Sequence, residues 1–204
     1  MKLLSATSTL LLLKGAVSQN CPAELTQSKS LSIADGSTLT FKYAVVLSRF
    51  TDSQNLLCAH LERDAEGFIG FGISPTGKMS GGEAIIGIPD DADDNPGTVM
   101  KYNLSGGSPR TSLMPDEKQT LMYTSITQED GNTFMKFAKY LNEIEENEIF
   151  ASGENTFLYA LGEQGKGLSY HGDNKGDFTL DFEITRRPTS SSTTLGECFL
   201  PCTL

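Results

Sequence analysis

Hydrophobic residues along this chain recur at every second position, in short runs broken by polar and glycine-rich turns. That period of two is the mark of strands with one face turned to a core. Nine such runs stand out: "STLTFKYAVV" (38–47), "NLLCAHLER" (55–63), "GFIGFGIS" (67–74), "EAIIGIP" (83–89), "TVMKYNLS" (98–105), "TLMYTSIT" (120–127), "NTFMKFAKYL" (132–141), "NTFLYALGE" (155–163) and "DFTLDFEI" (177–184). Glu129-Asp130-Gly131, between the sixth and the seventh, carries the residues of a tight hairpin turn. Nine or more short strands with polar turns predict an all-β fold, an antiparallel β-sandwich with little helix. The acidic stretch "YLNEIEENEIF" (140–150) reads as a solvated connection.

Two segments lie outside this pattern. The first eighteen residues have an early lysine, an apolar run over Leu10 to Leu13, and small Ala16 and Ser18, which together read as a secretory signal cut near Ser18. The run is far shorter than the ~20 apolar residues that span a bilayer. From residue 186 the composition shifts to a Ser/Thr-rich tail that also holds Cys198 and Cys202. The expected organisation is therefore a signal over 1–18, a sandwich over 19–185 and a tail over 186–204. The protein is expected to be secreted or extracellular, with a cell-surface location as the alternative, and the tail reads as a flexible stalk.

The 204 residues carry a net charge of -10, and loss of the signal, with Lys2 and Lys14 and no acid, takes it to about -12. Such a surface repels nucleic acid and anionic lipid, so neither is an expected partner. The four cysteines, Cys21, Cys58, Cys198 and Cys202, are expected to pair in an exported chain, with three connectivities open. Without CxxC pairs or nearby histidines they do not suit zinc. Asn103-Leu104-Ser105 is a glycosylation sequon. The acidic segment "PDDADDNPG" (89–97) lacks the spacing of a calcium loop and reads as a turn. There is no GxSxG, HExxH, P-loop or CxxCH.

Chemistry must then come from few residues. Of the two histidines, His60 sits within a strand pattern on the face opposite Leu57, Ala59 and Leu61. His171 lies in a glycine-rich loop, "GEQGKGLSYHGDNKGDF", where a ligand could reach it. Met79 stands in another such loop, "SPTGKMSGGEAIIG" (74–87), among residues that pack little. A thioether and an imidazole on separate loops form the donor pair of a low-spin haem iron.

Three stretches, in this order, resemble the DOMON domain family. "GFIGFGISPTGKMSGGEAIIGIPD" is similar to its glycine-aromatic strand, methionine loop and following strand, with Phe68 where tryptophan is common. "GNTFMKFAKYL" is similar to its F-x-R-x-L strand, with Lys139 in place of the arginine, and "NTFLYALGEQGKGLSYHGDNKGDFTLDF" to its closing strand, histidine and strand. The resemblance spans roughly residues 30 to 185. It implies a β-sandwich and, as in the haem-binding members, non-covalent haem b with Met79 and His171 as axial iron ligands.

The function implied is that of an electron-transfer protein rather than an enzyme, served by a redox partner protein or a small-molecule reductant. Lys78 and Lys166 are candidates to meet haem propionates. A second reading keeps the sandwich as a haem-free module for a sugar or another small ligand, using Tyr102, Tyr123, Tyr159 and Tyr170 in a chain without tryptophan.

Overall fold

The computed structural model describes residues 20–48, 51, 54–89, 97–104, 111–163, 168 and 171–182. Eleven strands run in order: β1 (Gln27–Ser32), β2 (Thr38–Val46), β3 (Leu56–Arg63), β4 (Ile69–Ile73), β5 (Glu83–Ile88), β6 (Thr98–Leu104), β7 (Thr111–Leu113), β8 (Met122–Glu129), β9 (Asn132–Tyr140), β10 (Gly153–Leu161) and β11 (Lys175–Phe182). They form two antiparallel sheets, one ordered β1-β2-β3-β9-β8 and the other β11-β10-β4-β5-β6-β7. The all-β antiparallel sandwich expected from the pattern is the fold found. Helix is confined, among the described residues, to 3-10 turns, one at Asp116–Lys118 and one that includes Gln54.

All nine expected runs are strands. Two strands lacked a legible pattern. β1 reads QSKSLS and is mostly exposed at a sheet edge, so no apolar alternation marks it. β7 has three residues at the edge of the second sheet. The hairpin between β8 and β9 is tight: Glu129 pairs with Asn132, and Asp130 and Gly131 both take positive φ, the geometry that suits the strand twist.

The alternation on β3 holds, with Leu57, Ala59 and Leu61 inside the main core. Phenylalanine fills the space that tryptophan leaves. Phe71 on β4 stacks on Phe41 of β2 at 5.0 Å and on Phe157 of β10 at 4.9 Å, joining the two sheets.

The acidic connection differs from expectation in one respect. Residues 141–150 form turns, not helix, but they are not uniformly solvated. Lys101 of β6 and Lys139 of β9, both buried, reach Glu146 at 2.6 and 2.8 Å, and Glu143 binds both lysines. The reason is compensation: two core-facing lysines at the sandwich end require buried anions, and this loop supplies them. Lys139, at the arginine position of the F-x-R-x-L resemblance, is thus a structural cation.

Cys21 is bonded to Cys58, tying the chain before β1 to β3. The signal segment, the calcium-like segment over most of its length, and the tail with Cys198 and Cys202 lie outside the described residues. Among those described, no helix is long and apolar enough to cross a membrane.

Candidate functional site

The second sheet is apolar on both faces. Its inner face joins the main core, while on its outer face Phe68, Ala84, Ile86, Leu104 and Leu158 form a separate buried cluster. A sheet turned to water on that side would alternate with polar residues, so this face is built to be covered.

The centre of that face is low. Gly70 and Gly72 of β4 point outward, since Ile69, Phe71 and Ile73 point in. The register sets Gly72 between Leu158 and Ala84, and Gly70 between Ala160 and Ile86. The result is a trough along β4 walled by larger side chains. A Cβ at position 72 would meet the Leu158 Cβ at 2.8 Å, so glycine is needed there. A cavity of about 470 Å³ occupies this trough.

Two loops close it from opposite ends. β4 and β10 are antiparallel, with Ile73 paired to Phe157 and Ile69 to Leu161, so the chain leaves β4 at one end and β10 at the other. The first exit leads to Met79 and the second to His171. Both residues line the cavity, and both are half-buried.

The methionine loop is fixed by short-range bonds. The Ser74 hydroxyl donates to the Lys78 carbonyl at 2.7 Å and accepts from the Lys78 amide at 3.1 Å. The Gly82 amide donates to the Met79 carbonyl at 3.0 Å, and Leu104 and Gly82 tie the turn to the end of β6. From the far side, the Asn147 amide side chain donates to Gly81 O at 3.0 Å, and the Asn147 backbone N–H donates to Glu83 Oε1 at 2.7 Å. Glu83 begins β5, and burial pushes its carboxyl above the ordinary value; the Asn147 amide opposes this and Glu146 adds to it.

The histidine loop starts at a second anchor. Arg63, buried at the end of β3, donates to Gly162 O at 2.5 Å and to Asp35 at 2.8 Å. Burial works against the Asp35 charge, but the Ser37 hydroxyl and amide together with Arg63 hold its carboxyl below the usual range. The Gly162 amide donates to Phe68 O at 3.1 Å, and a Cβ at 162 would enter the Phe68 ring at 1.9 Å. Farther on, the Asn174 amide donates to His171 O at 3.0 Å. His171 Nδ1 faces the Gly172 carbonyl at 3.3 Å. A carbonyl only accepts, so a hydrogen bond here belongs to the tautomer with its proton on Nδ1, which carries its lone pair on Nε2. Histidines that ligate metals are commonly oriented in this way.

The other sequence candidates fall elsewhere. His60 is on β3, on the other sheet, beside a different cavity. Lys78 is exposed and Lys166 lies outside the described residues. Lys175, not recognisable in the sequence, is the lysine that lines the larger cavity among the described residues. Tyr159 lines that cavity and Tyr102 packs beside its wall, whereas Tyr123 is on the other sheet and Tyr170 lies outside the described residues. Asn103 is exposed near the end of β6, opposite Ser112 of β7.

One family model matches most of this sandwich, from β2 through the methionine loop to the end of β10. The DOMON domain model covers residues 42–162. The chain belongs to the DOMON domain family. Met79 falls within the matched residues and His171 just beyond them. Among solved structures, the DOMON chain is similar in fold to the cytochrome b domain of pyranose dehydrogenase from Coprinopsis cinerea, with a TM-score of 0.53 and 12% identity over 74% of this chain and 80% of the other. It is similar also to the cytochrome domain of cellobiose dehydrogenase from Myriococcum thermophilum, with a TM-score of 0.53 and 12% identity over 76% of this chain and 88% of the other. At that identity the likeness concerns the fold.

Proposed function

We propose that this DOMON domain binds haem b in the outer-face trough, with Met79 and His171 as axial ligands, and transfers single electrons. The observation that carries the proposal is that a thioether and an imidazole, brought from loops at opposite ends of the β4–β10 pair, line one apolar cavity. The residues suit the group: small floor residues admit a flat body, Phe68, Ile86 and Leu158 offer apolar walls, and His171 in its Nδ1–H tautomer would offer Nε2 to an iron. Lys175, which lines the trough and donates to Gly172 O at 3.0 Å, would meet a haem carboxylate. The two solved structures of similar fold are cytochrome domains, which is consistent with this reading.

Bound haem would supply an iron that cycles between ferric and ferrous states. The chain's part is to hold both axial donors and exclude water. If Met79 and His171 both held the iron, neither oxygen nor substrate would find an open position, and the domain would serve as a relay. Its partner is a redox protein or a small reductant, and its acidic surface would steer basic partners to it. The Cys21–Cys58 bond supports export to an oxidising compartment.

The test is to express the full chain for export with haem supplied and record visible spectra before and after reduction. Sharp α and β bands on reduction are expected. Met79→Ala should leave a weakly ligated iron of lower potential, and His171→Ala should lose most of the cofactor. A folded, colourless protein would refute the proposal.

A further inference from the structure

On the outer face of the other sheet, three basic side chains stand in one row. Lys42 of β2 pairs with His60 of β3, and His60 pairs with Lys136 of β9. Ser28 of β1 and Ser125 of β8 extend the row at either end. Burial holds the His60 pKa below its ordinary value, so the lasting charges of the row are the two lysines that flank it. In a chain with net charge -10, such a row calls for an anion.

The chain supplies only part of one. Glu62 binds Lys42 at 2.6 Å and approaches His60 Nδ1 at 3.6 Å. Lys136 is exposed and forms no ion pair among the described residues. His60 Nε2 is buried with no hydrogen-bond partner among them. A buried nitrogen of this kind normally finds a partner.

These three residues line a cavity of about 200 Å³. Its opposite wall is the segment after Cys21, held over the sheet by the bond to Cys58, with Pro22 and Leu25 facing the space. Tyr123, at positive φ beside the irregularity in β8, closes one side, and its hydroxyl donates to Asn20 Oδ1 at 2.9 Å. The cavity thus joins a basic floor to an apolar wall.

We propose that this cavity is a second binding site, for a small monocarboxylate with a short apolar body. The carboxylate meets Lys136 and Lys42 beside the His60 ring, while the body packs against Pro22 and Leu25. A bare phosphate would use the cations but not the wall. The site is on the opposite sheet from the trough and stands whether or not haem binds.

The chain has only two histidines, so imidazole NMR signals can be assigned directly with a His171→Ala variant. Titration of the full chain with butyrate, benzoate and phosphate, at constant ionic strength against chloride, is the test. Butyrate and benzoate should shift the His60 signals saturably and leave those of His171 unmoved, with phosphate at least tenfold weaker. Lys136→Gln, an exposed strand position that should not disturb folding, should weaken carboxylate binding about tenfold, and Lys136→Arg should restore it. Signals that follow carboxylate no more than chloride would overturn the proposal, as would undiminished binding by Lys136→Gln. Phosphate binding as tight as butyrate would overturn the assigned ligand class.

Discussion

The side-chain amide of Asn147 donates to the carbonyl of Gly81 at 3.0 Å, so the loop between β9 and β10 holds the turn that carries Met79. The same loop contributes Glu143 and Glu146 to the buried lysines. A charge cluster at the sandwich end is therefore connected, through a short length of chain, to the loop that presents the sulfur.

Asn147→Ala removes that donor and keeps the backbone bond to Glu83. Loss of one such bond costs about 1 kcal/mol, roughly a fivefold shift toward a detached methionine. Haem-loaded Asn147→Ala should show a lower potential and a weakened spectral signature of methionine ligation. In haem-free protein, exchange of the Gly81 and Leu104 amides, which bond across this turn, should quicken. Unchanged exchange and potential would show that Asn147 does not position the loop.

Gly72→Ala tests the trough floor. The added methyl would press on Leu158 at 2.8 Å and rise into the space reserved for the ligand. The protein should fold, with a stability loss of about 1–3 kcal/mol from overpacking, and bind haem at least tenfold more weakly. Titration with haem measures the second effect and thermal unfolding the first.

The buried carboxylates respond to pH in opposite directions. Burial works to raise the Glu143 carboxyl, but Lys139, Thr120 and Lys101 together hold it below its ordinary value. Its contribution to stability is fully present above the ordinary pKa of 4.5 and lost as pH falls through the lowered folded value. Glu83 is raised, so its contribution is present below its ordinary 4.5 and lost as pH rises toward the folded value. Glu83→Gln should therefore be neutral or stabilising near pH 7 and remove that loss. Lys139→Met should destabilise by about 3–5 kcal/mol, because it leaves buried carboxylates underpaired. Denaturant unfolding across pH separates the two.

Opening the Cys21–Cys58 bond frees a loop with a sequence separation of 37. The paired change Cys21→Ser and Cys58→Ala should lower stability by about 2–4 kcal/mol. It should also loosen the segment over His60 without touching Met79 or His171. Carboxylate affinity at His60 should fall while haem spectra stay the same.

The strands were legible because each of the nine runs has one face on a core, and β1 and β7 were not, because edge strands bury too little to mark a period. Met79 and His171 were legible as odd residues in glycine-rich loops. Their shared cavity depends on the antiparallel register of β4 and β10, which no local pattern contains. The roles of Glu143, Glu146 and Asn147 were hidden for a related reason. An acidic run reads as solvated until two buried lysines from distant strands are seen to face it. Lys175 was likewise one lysine among many until β11 placed it at the cavity.

Iron-edge X-ray absorption on the haem-loaded protein tests the ligand pair most directly. One sulfur and five nitrogens around the iron are expected, with the sulfur absent in Met79→Ala and one nitrogen fewer in whatever haem His171→Ala retains. An iron surrounded by nitrogen alone in the unaltered protein, or a sulfur that persists without Met79, would contradict the account.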